Sequence, residues 1–154
     1  MKLSIIIPMY NEQESLDALF MELSGLFSQE AKTEIIFIND GSSDNTLSIL
    51  ESKIKNYPSW KVINLYRNYG KSVALQAGFD NSKGEIIATM DADLQDNPKE
   101  IYNLIKELEK GYDVVSGWKK NRKDPLEKKI ASKIFNFFVR VFSGLKIHDS
   151  NCGI

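Results

Sequence analysis

The chain has 154 residues, enough for one substantial hydrophobic core and short for two domains. Apolar residues make up 42% and charged residues 27%, which excludes a disordered chain, and a formal net charge of −1 gives no overall attraction for nucleic acid. A single cysteine, Cys152, excludes an intrachain disulfide framework and suits a reducing cytoplasm, and no apolar run approaches the roughly 18–20 residues that span a bilayer.

Strand and helix signals alternate along the chain. Lys2 precedes a short apolar run, Leu3 to Ile7, broken by Pro8, which predicts a strand and not a signal peptide. Leu16, Leu19, Phe20, Leu23, Leu26 and Phe27 form a helical stripe. A second strand is predicted over Glu34 to Ile38. It runs into Asn39-Asp40-Gly41-Ser42-Ser43-Asp44, where Ser43 or Asp44 caps a helix over Asn45 to Asn56. A third strand follows over Lys61 to Leu65. The next helix, Lys71 to Asn81, is weaker, and its small residues Ala74, Ala77 and Gly78 suit a close neighbour.

Glu85 to Met90 reads as a fourth, buried strand that ends directly in Asp91-Ala92-Asp93-Leu94-Gln95-Asp96. Asp96 or Asn97 then caps a helix opened by Pro98, with Ile101, Leu104, Ile105 and Leu108 as its stripe and Gly111 as its stop. Asp113 to Ser116 reads as a fifth strand. The order βαβαβαβαβ predicts the α/β class, with a mainly parallel sheet flanked by helices.

The chemistry collects at the predicted strand ends, the edge where open α/β sheets bind ligands. Alternation along an extended chain sends Asp91 and Asp93 to one side, with Gln95 following if the extension continues. Two carboxylates and an amide oxygen suit Mg²⁺ or Mn²⁺, which take phosphate oxygens as remaining ligands. Neither G-x-G-x-x-G nor G-x-x-x-x-G-K-S/T follows the first strand, so a dinucleotide-binding domain and a P-loop are both disfavoured. The first strand runs instead into Pro8-Met9-Tyr10-Asn11-Glu12. Tyr10 offers a face for a flat base, and Asp40 offers acceptors to a base edge or ribose hydroxyls.

These blocks, together with Arg67-Asn68-Tyr69-Gly70-Lys71 and His148-Asp149-Ser150-Asn151-Cys152-Gly153, resemble the inverting GT-A glycosyltransferases of family 2. The resemblance is to the branch containing dolichyl-phosphate mannose synthase and the bacterial undecaprenyl-phosphate sugar transferases. It implies one GT-A catalytic domain over 1–154, with 1–118 binding a UDP- or GDP-linked sugar and 119–154 beginning an acceptor-side, interfacial part. It further implies that Pro8, Tyr10, Glu12, Ile38 and Asp40 bound the nucleoside pocket. Asp91, Ala92, Asp93 and Gln95 would hold the sugar-diphosphate, with Asp91, Asp93 and Gln95 on the metal. Asp149 falls at the family's acceptor-side aspartate, and His148 is read as structural.

Lys119 lies two residues after Gly117, where this branch often carries arginine. It heads a basic cluster with Lys120, Arg122, Lys123, Lys128, Lys129 and Lys133 that would stabilise the departing nucleoside diphosphate. Lysine supplies a point charge where arginine supplies a bidentate fork. Arg67 is read as structural, pairing with a carboxylate near the sheet.

Over 126–145, Ile130, Ile134, Phe137, Phe138, Val141, Phe142 and Leu145 form an apolar stripe beside Lys128, Lys129, Lys133 and Arg140. Such a helix suits either a membrane interface or a packed contact, and exposed phenylalanines would favour self-association as a homo-oligomer. The implied acceptor is a polyprenyl phosphate, which sets the enzyme at the cytoplasmic face of the membrane. By the same resemblance the relatives continue beyond Ile154, so the chain is expected to be cut short on the acceptor side. A glycan acceptor, or a donor-binding module without turnover, remains the alternative. A sugar-1-phosphate nucleotidyltransferase would instead open with a glycine-rich loop, and Pro8 to Glu12 is not one.

Overall fold

A computed structural model describes residues 2–117, apart from Gln29 and Ala31. Lys119, the helix expected over 126–145, His148 and Asp149 lie outside the described residues. The elements run β1 (Leu3–Met9), α1 (Leu16–Phe27), β2 (Thr33–Asn39), α2 (Thr46–Lys53), a 3-10 turn (Ile54–Asn56), β3 (Trp60–Asn64), α3 (Lys71–Asn81), β4 (Ile86–Thr89) and α4 (Glu100–Leu108). The first four expected strands are present, each within two residues of its predicted ends. Among the described residues, no helix is long and apolar enough to cross a membrane.

All strand pairings are parallel, in the order β3-β2-β1-β4. The chain builds outward from β1 through β2 to β3, then returns to place β4 on the other side of β1. That reversal makes a switch point between β1 and β4, and the crevice it opens lies at the carboxyl ends of the strands. β2 is buried at every position and β1 at all but one, which is why both read as unbroken apolar runs.

Alternation along β1 and β2 divides the core between two faces. On one, Ile6, Ile36 and Ile38 meet Ala74 of α3, with Ile63, Leu65, Leu75 and Ala77 packed around them. A Cβ at Gly78 would stand 2.3 Å from Ile6 Cγ2, so α3 reaches the sheet only because this position is glycine. On the other face, Phe37 stacks on Phe20 of α1 at 5.0 Å between ring centres, and Trp60 stacks on Tyr57 at 4.0 Å. Each fully buried Leu, Ile or Phe contributes about 1.5–3 kcal/mol.

The amino ends of the strands are closed by a polar clasp centred on Glu34, which is 8% exposed. Its carboxylate accepts hydrogen bonds from Ser4 Oγ at 2.6 Å, Lys83 N at 2.6 Å and Lys61 Nζ at 3.2 Å. Burial alone would raise the Glu34 carboxyl. The bonds from Ser4, Lys83 and Lys61, with the lysine's charge, outweigh it and hold the pKa below its ordinary value. Gly84 N in turn donates to Ser4 Oγ at 2.8 Å, tying the approach to β4 onto β1.

The chain divides at Ile101 into two units, and the sheet, α1 to α3 and the Glu34 clasp belong to the first. In the second, the described residues are the rest of α4, a turn at Gly111 with φ 102°, and an irregular stretch to Gly117. The strand expected over Asp113 to Ser116 is not formed, and Val114 is exposed. Two valines between polar residues become a strand only by pairing, and their own composition does not supply the partner.

Candidate functional site

A hollow of about 300 Å³ opens at the carboxyl ends of the strands, lined from four loops. Pro8, Met9, Tyr10 and Glu12 come from the end of β1, and Asp40 from the end of β2. Asn68, Gly70, Lys71 and Ala74 come from the entry to α3, and Asp91, Ala92 and Asp93 from the end of β4. The topology brings these segments together: β1 and β4 flank the switch point, and the loops after β2 and β3 close one side.

The loops are tied to one another before any ligand arrives. Asn11, with φ 56°, turns its N–H toward Ser42 Oγ at 2.9 Å while its Oδ1 accepts from Ser43 N at 2.8 Å. Glu12 N donates to Thr46 Oγ1 at 2.9 Å, and Gln13 N to Asp44 Oδ2 at 3.2 Å. Asp44 Oδ1 also accepts from Thr46 N at 3.0 Å, so Asp44 holds the start of α2 from one residue before the N-cap, which is Asn45 and neither Ser43 nor Asp44 as expected. Burial would raise the Asp44 carboxyl, but the hydrogen bonds from Thr46 and from Gln13 N hold it below its ordinary value. Gly41 is the point of closest approach. Its φ is 63°, and a Cβ there would meet the Arg67 backbone at 2.3 Å.

Asp40 is 4% exposed, and its two oxygens accept from Tyr69 N and Gly70 N, each at 2.8 Å. Its carboxylate therefore holds the loop before α3 as well as lining the hollow, a task that its position at a strand end did not reveal. Tyr10 is 45% exposed, with an open ring beside the hollow. Glu12 accepts from Ser15 Oγ at 2.8 Å. Arg67, expected to pair with a carboxylate, lies with its guanidinium over the Tyr69 ring at 4.9 Å.

Asp91 and Asp93 both line the hollow, and so does Ala92 between them, because β4 ends at Thr89 and the chain bends from Ala92 onward. Gln95 does not follow them. The chain turns at Leu94, whose φ is 60°, and Asp93 Oδ1 accepts from Gln95 N at 3.0 Å. The turn leaves Gln95 exposed beside a different hollow, lined also by Met21 and Pro98. Ile38 is fully buried in the α3-side core, beneath the site and not on its lining. Its side chain supports the pocket floor without facing the cavity, because alternation points it to the helix.

The sequence reading also missed Met9, Asn68, Gly70, Lys71 and Ala74 as lining residues. Gly70, just before a helical stripe and with φ 92°, was the legible signal for a loop folded back on the sheet.

Lys71 Nζ lies 2.5 Å from Asp91 Oδ1. A cation thus already stands against the carboxylate expected to bind metal, and two carboxylates at one sheet edge suit Mg²⁺ or Mn²⁺. Among the described residues, no three His, Cys, Asp or Glu side chains group as a ready-made metal cage. A divalent ion here would draw its other ligands from water and phosphate, the usual habit of Mg²⁺ sites.

A parallel sheet with carboxylates gathered at its switch point is an α/β arrangement, and the matches to solved structures place it among GT-A-like folds. The chain belongs to glycosyl transferase family 2, whose family model matches residues 4–152. It is 41% identical over 98% of its length to an undecaprenyl-phosphate 4-deoxy-4-formamido-L-arabinose transferase from Serratia proteamaculans. It is 37% identical over its full length to a dodecaprenyl-phosphate galacturonate synthase from Rhizobium johnstonii. The chain spans 47% of the length of each of these relatives.

Among solved structures, the Staphylococcus aureus protein TarS (residues 1–349), in complex with UDP-GlcNAc, matches with a TM-score of 0.61 and 26% identity. That match covers 81% of this chain and 37% of TarS. A Pyrobaculum calidifontis mannosyltransferase, in complex with GDP-Man and Mn²⁺, shares the fold with a TM-score of 0.64 and 23% identity. It covers 75% of this chain and 34% of the other.

Proposed function

We propose that this chain is the donor-binding part of an inverting glycosyltransferase that moves a sugar from a nucleotide-sugar to a polyprenyl phosphate. The observation that carries the reading is the hollow at the switch point, where Tyr10, Asp40, Asp91 and Asp93 converge from three strand ends. Support for the acceptor comes from the two curated relatives, both named for transfer or synthesis on a polyprenyl phosphate.

In this reading the base lies on the Tyr10 ring, with Pro8, Glu12 and the Asp40 region around the nucleoside. Asp91 and Asp93, with Ala92 between them, would hold a divalent ion and the diphosphate. The ion, when bound, stabilises the negative charge that gathers on the departing nucleoside diphosphate. An acceptor phosphate oxygen attacks the anomeric carbon from the opposite side, and the bond to the diphosphate breaks with its electron pair. A phosphate acceptor is already anionic, so Asp149 would orient it more than deprotonate it, while Lys119 adds charge on the leaving side. The basic, apolar helix expected over 126–145 would meet the cytoplasmic membrane surface where such an acceptor resides.

Calorimetric titration of UDP and GDP, each with and without Mn²⁺, tests the reading. Nucleotide binding that strengthens with Mn²⁺ supports it; no binding of either nucleotide under both conditions overturns it.

A further inference from the structure

Lys71 opens α3, and its ammonium rests on Asp91, with 55% of the lysine side chain and 33% of the aspartate side chain exposed. The backbone beneath it is firmly held. Asp40 grips Tyr69 N and Gly70 N, and Gly41 lies so near the Arg67 and Asn68 backbone that a Cβ there would clash with it. The lysine stem is long and flexible, and among the described residues its tip hydrogen-bonds to the Asp91 carboxylate. An anchored base with a mobile charged tip is suited to exchange one anion for another.

The exchange follows from charge. An ammonium in contact with Asp91 Oδ1 competes with a divalent ion for that carboxylate, because the two cations repel across a few ångströms and draw on one negative charge. Once a metal takes Asp91, the ammonium stands beside whatever anion the metal brings, and the amino end of α3 adds its positive dipole there.

We propose that Lys71 is an internal counter-ion of the donor site. It neutralises Asp91 while no metal is bound, yields to the divalent ion, and then pairs with the diphosphate oxygens of the donor. This deepens the donor-site reading and rests on it. One side chain would thereby lower affinity for free metal and raise affinity for nucleotide, favouring loading of the two together.

The test uses the chain with Lys71→Met, and Lys71→Gln as a second neutral variant so that a packing effect peculiar to methionine does not decide the outcome. Lys71→Arg keeps the charge. Mn²⁺ alone is titrated first, followed by paramagnetic resonance of the free ion. UDP and GDP are then titrated calorimetrically at saturating Mn²⁺.

Both neutral variants should bind Mn²⁺ about two- to fivefold more tightly than the parent, the scale of a lost surface ion pair. They should bind nucleoside diphosphate about tenfold more weakly, the scale of a lost charge-assisted hydrogen bond. Lys71→Arg should stay near the parent in both. Neutral variants with unchanged or weaker Mn²⁺ affinity, or unchanged nucleotide affinity, overturn the inference while leaving the donor site standing. A parent chain that binds neither Mn²⁺ nor nucleotide overturns both.

Discussion

The two ends of the sheet use the same kinds of residue for opposite purposes. At the amino ends, Glu34 is enclosed and saturated, with a hydroxyl, a backbone N–H and an ammonium on its oxygens. At the carboxyl ends, Asp91 pairs with the half-exposed Lys71, and Asp93 is exposed. Both places pair a carboxylate with a lysine, yet one is a clasp and the other an opening. What separates them is burial and the number of donors already committed. A saturated carboxylate inside the fold contributes to stability, and an incompletely coordinated one at a switch point is available to a ligand. Asp40 stands between the two cases, buried and doubly bonded, yet on the lining of the hollow.

The sharpest way to break this contrast is to exchange the effects of the two ends. Glu34→Ala removes three hydrogen bonds and takes the acceptor from Ser4 Oγ and Lys83 N, while Lys61 keeps its bond to Asn81 O. It should destabilise the fold by about 3 kcal/mol, read as a lower urea midpoint, with nucleotide affinity unchanged in the fraction that stays folded. Asp91→Asn and Asp93→Asn should do the reverse. Each is expected to weaken Mn²⁺-dependent binding of UDP or GDP about ten- to a hundredfold by calorimetry, while the urea midpoint stays within about 0.5 kcal/mol of the parent. An unchanged affinity in both variants would remove the metal assignment.

Asp40→Ala sharpens the intermediate case. It should cost about 1.5 kcal/mol of stability, because Tyr69 N and Gly70 N lose a charged acceptor. It should also weaken nucleotide binding, because the loop that carries Lys71 loosens. Loss of affinity with no loss of stability would instead make Asp40 a ligand contact alone.

The smallest effect is on pH dependence. Glu34 has its pKa depressed in the folded chain, so in the acid range the unfolded state binds the proton first and stability falls with falling pH. The contribution is full above the ordinary carboxylate value of about 4.3 and is lost as pH drops through the folded value. Urea midpoints measured between about pH 6 and pH 3 should decline less steeply in Glu34→Gln than in the parent. Equal slopes would mean that other carboxylates dominate the acid limb.

Local pattern made much of this molecule legible. The apolar runs of β1 and β2, the stripe of α1 and the small residues of α3 each report an environment that their own spacing encodes, and the four strands and their helices follow. Asp91 and Asp93 were legible as carboxylates directly after an apolar strand, the edge where such sheets bind ligands. It is the bend after Thr89, and not alternation, that sets them with Ala92 on one hollow. Gln95 escaped that logic because Leu94 takes a left-handed conformation, which alternation cannot foresee. The strand expected over Asp113 to Ser116 escaped it because pairing, and not composition, makes a strand.

Strand order, and with it the switch point, came only from the tertiary structure. So did the Glu34 clasp, the grip of Asp40 on the loop before α3, and the meeting of Lys71 with Asp91, whose partners lie between 20 and 49 residues apart in sequence. Periodicity reports which face of its own element a residue occupies. It carries no record of which distant element arrives opposite, and that meeting decided which carboxylates closed the fold and which were left to bind.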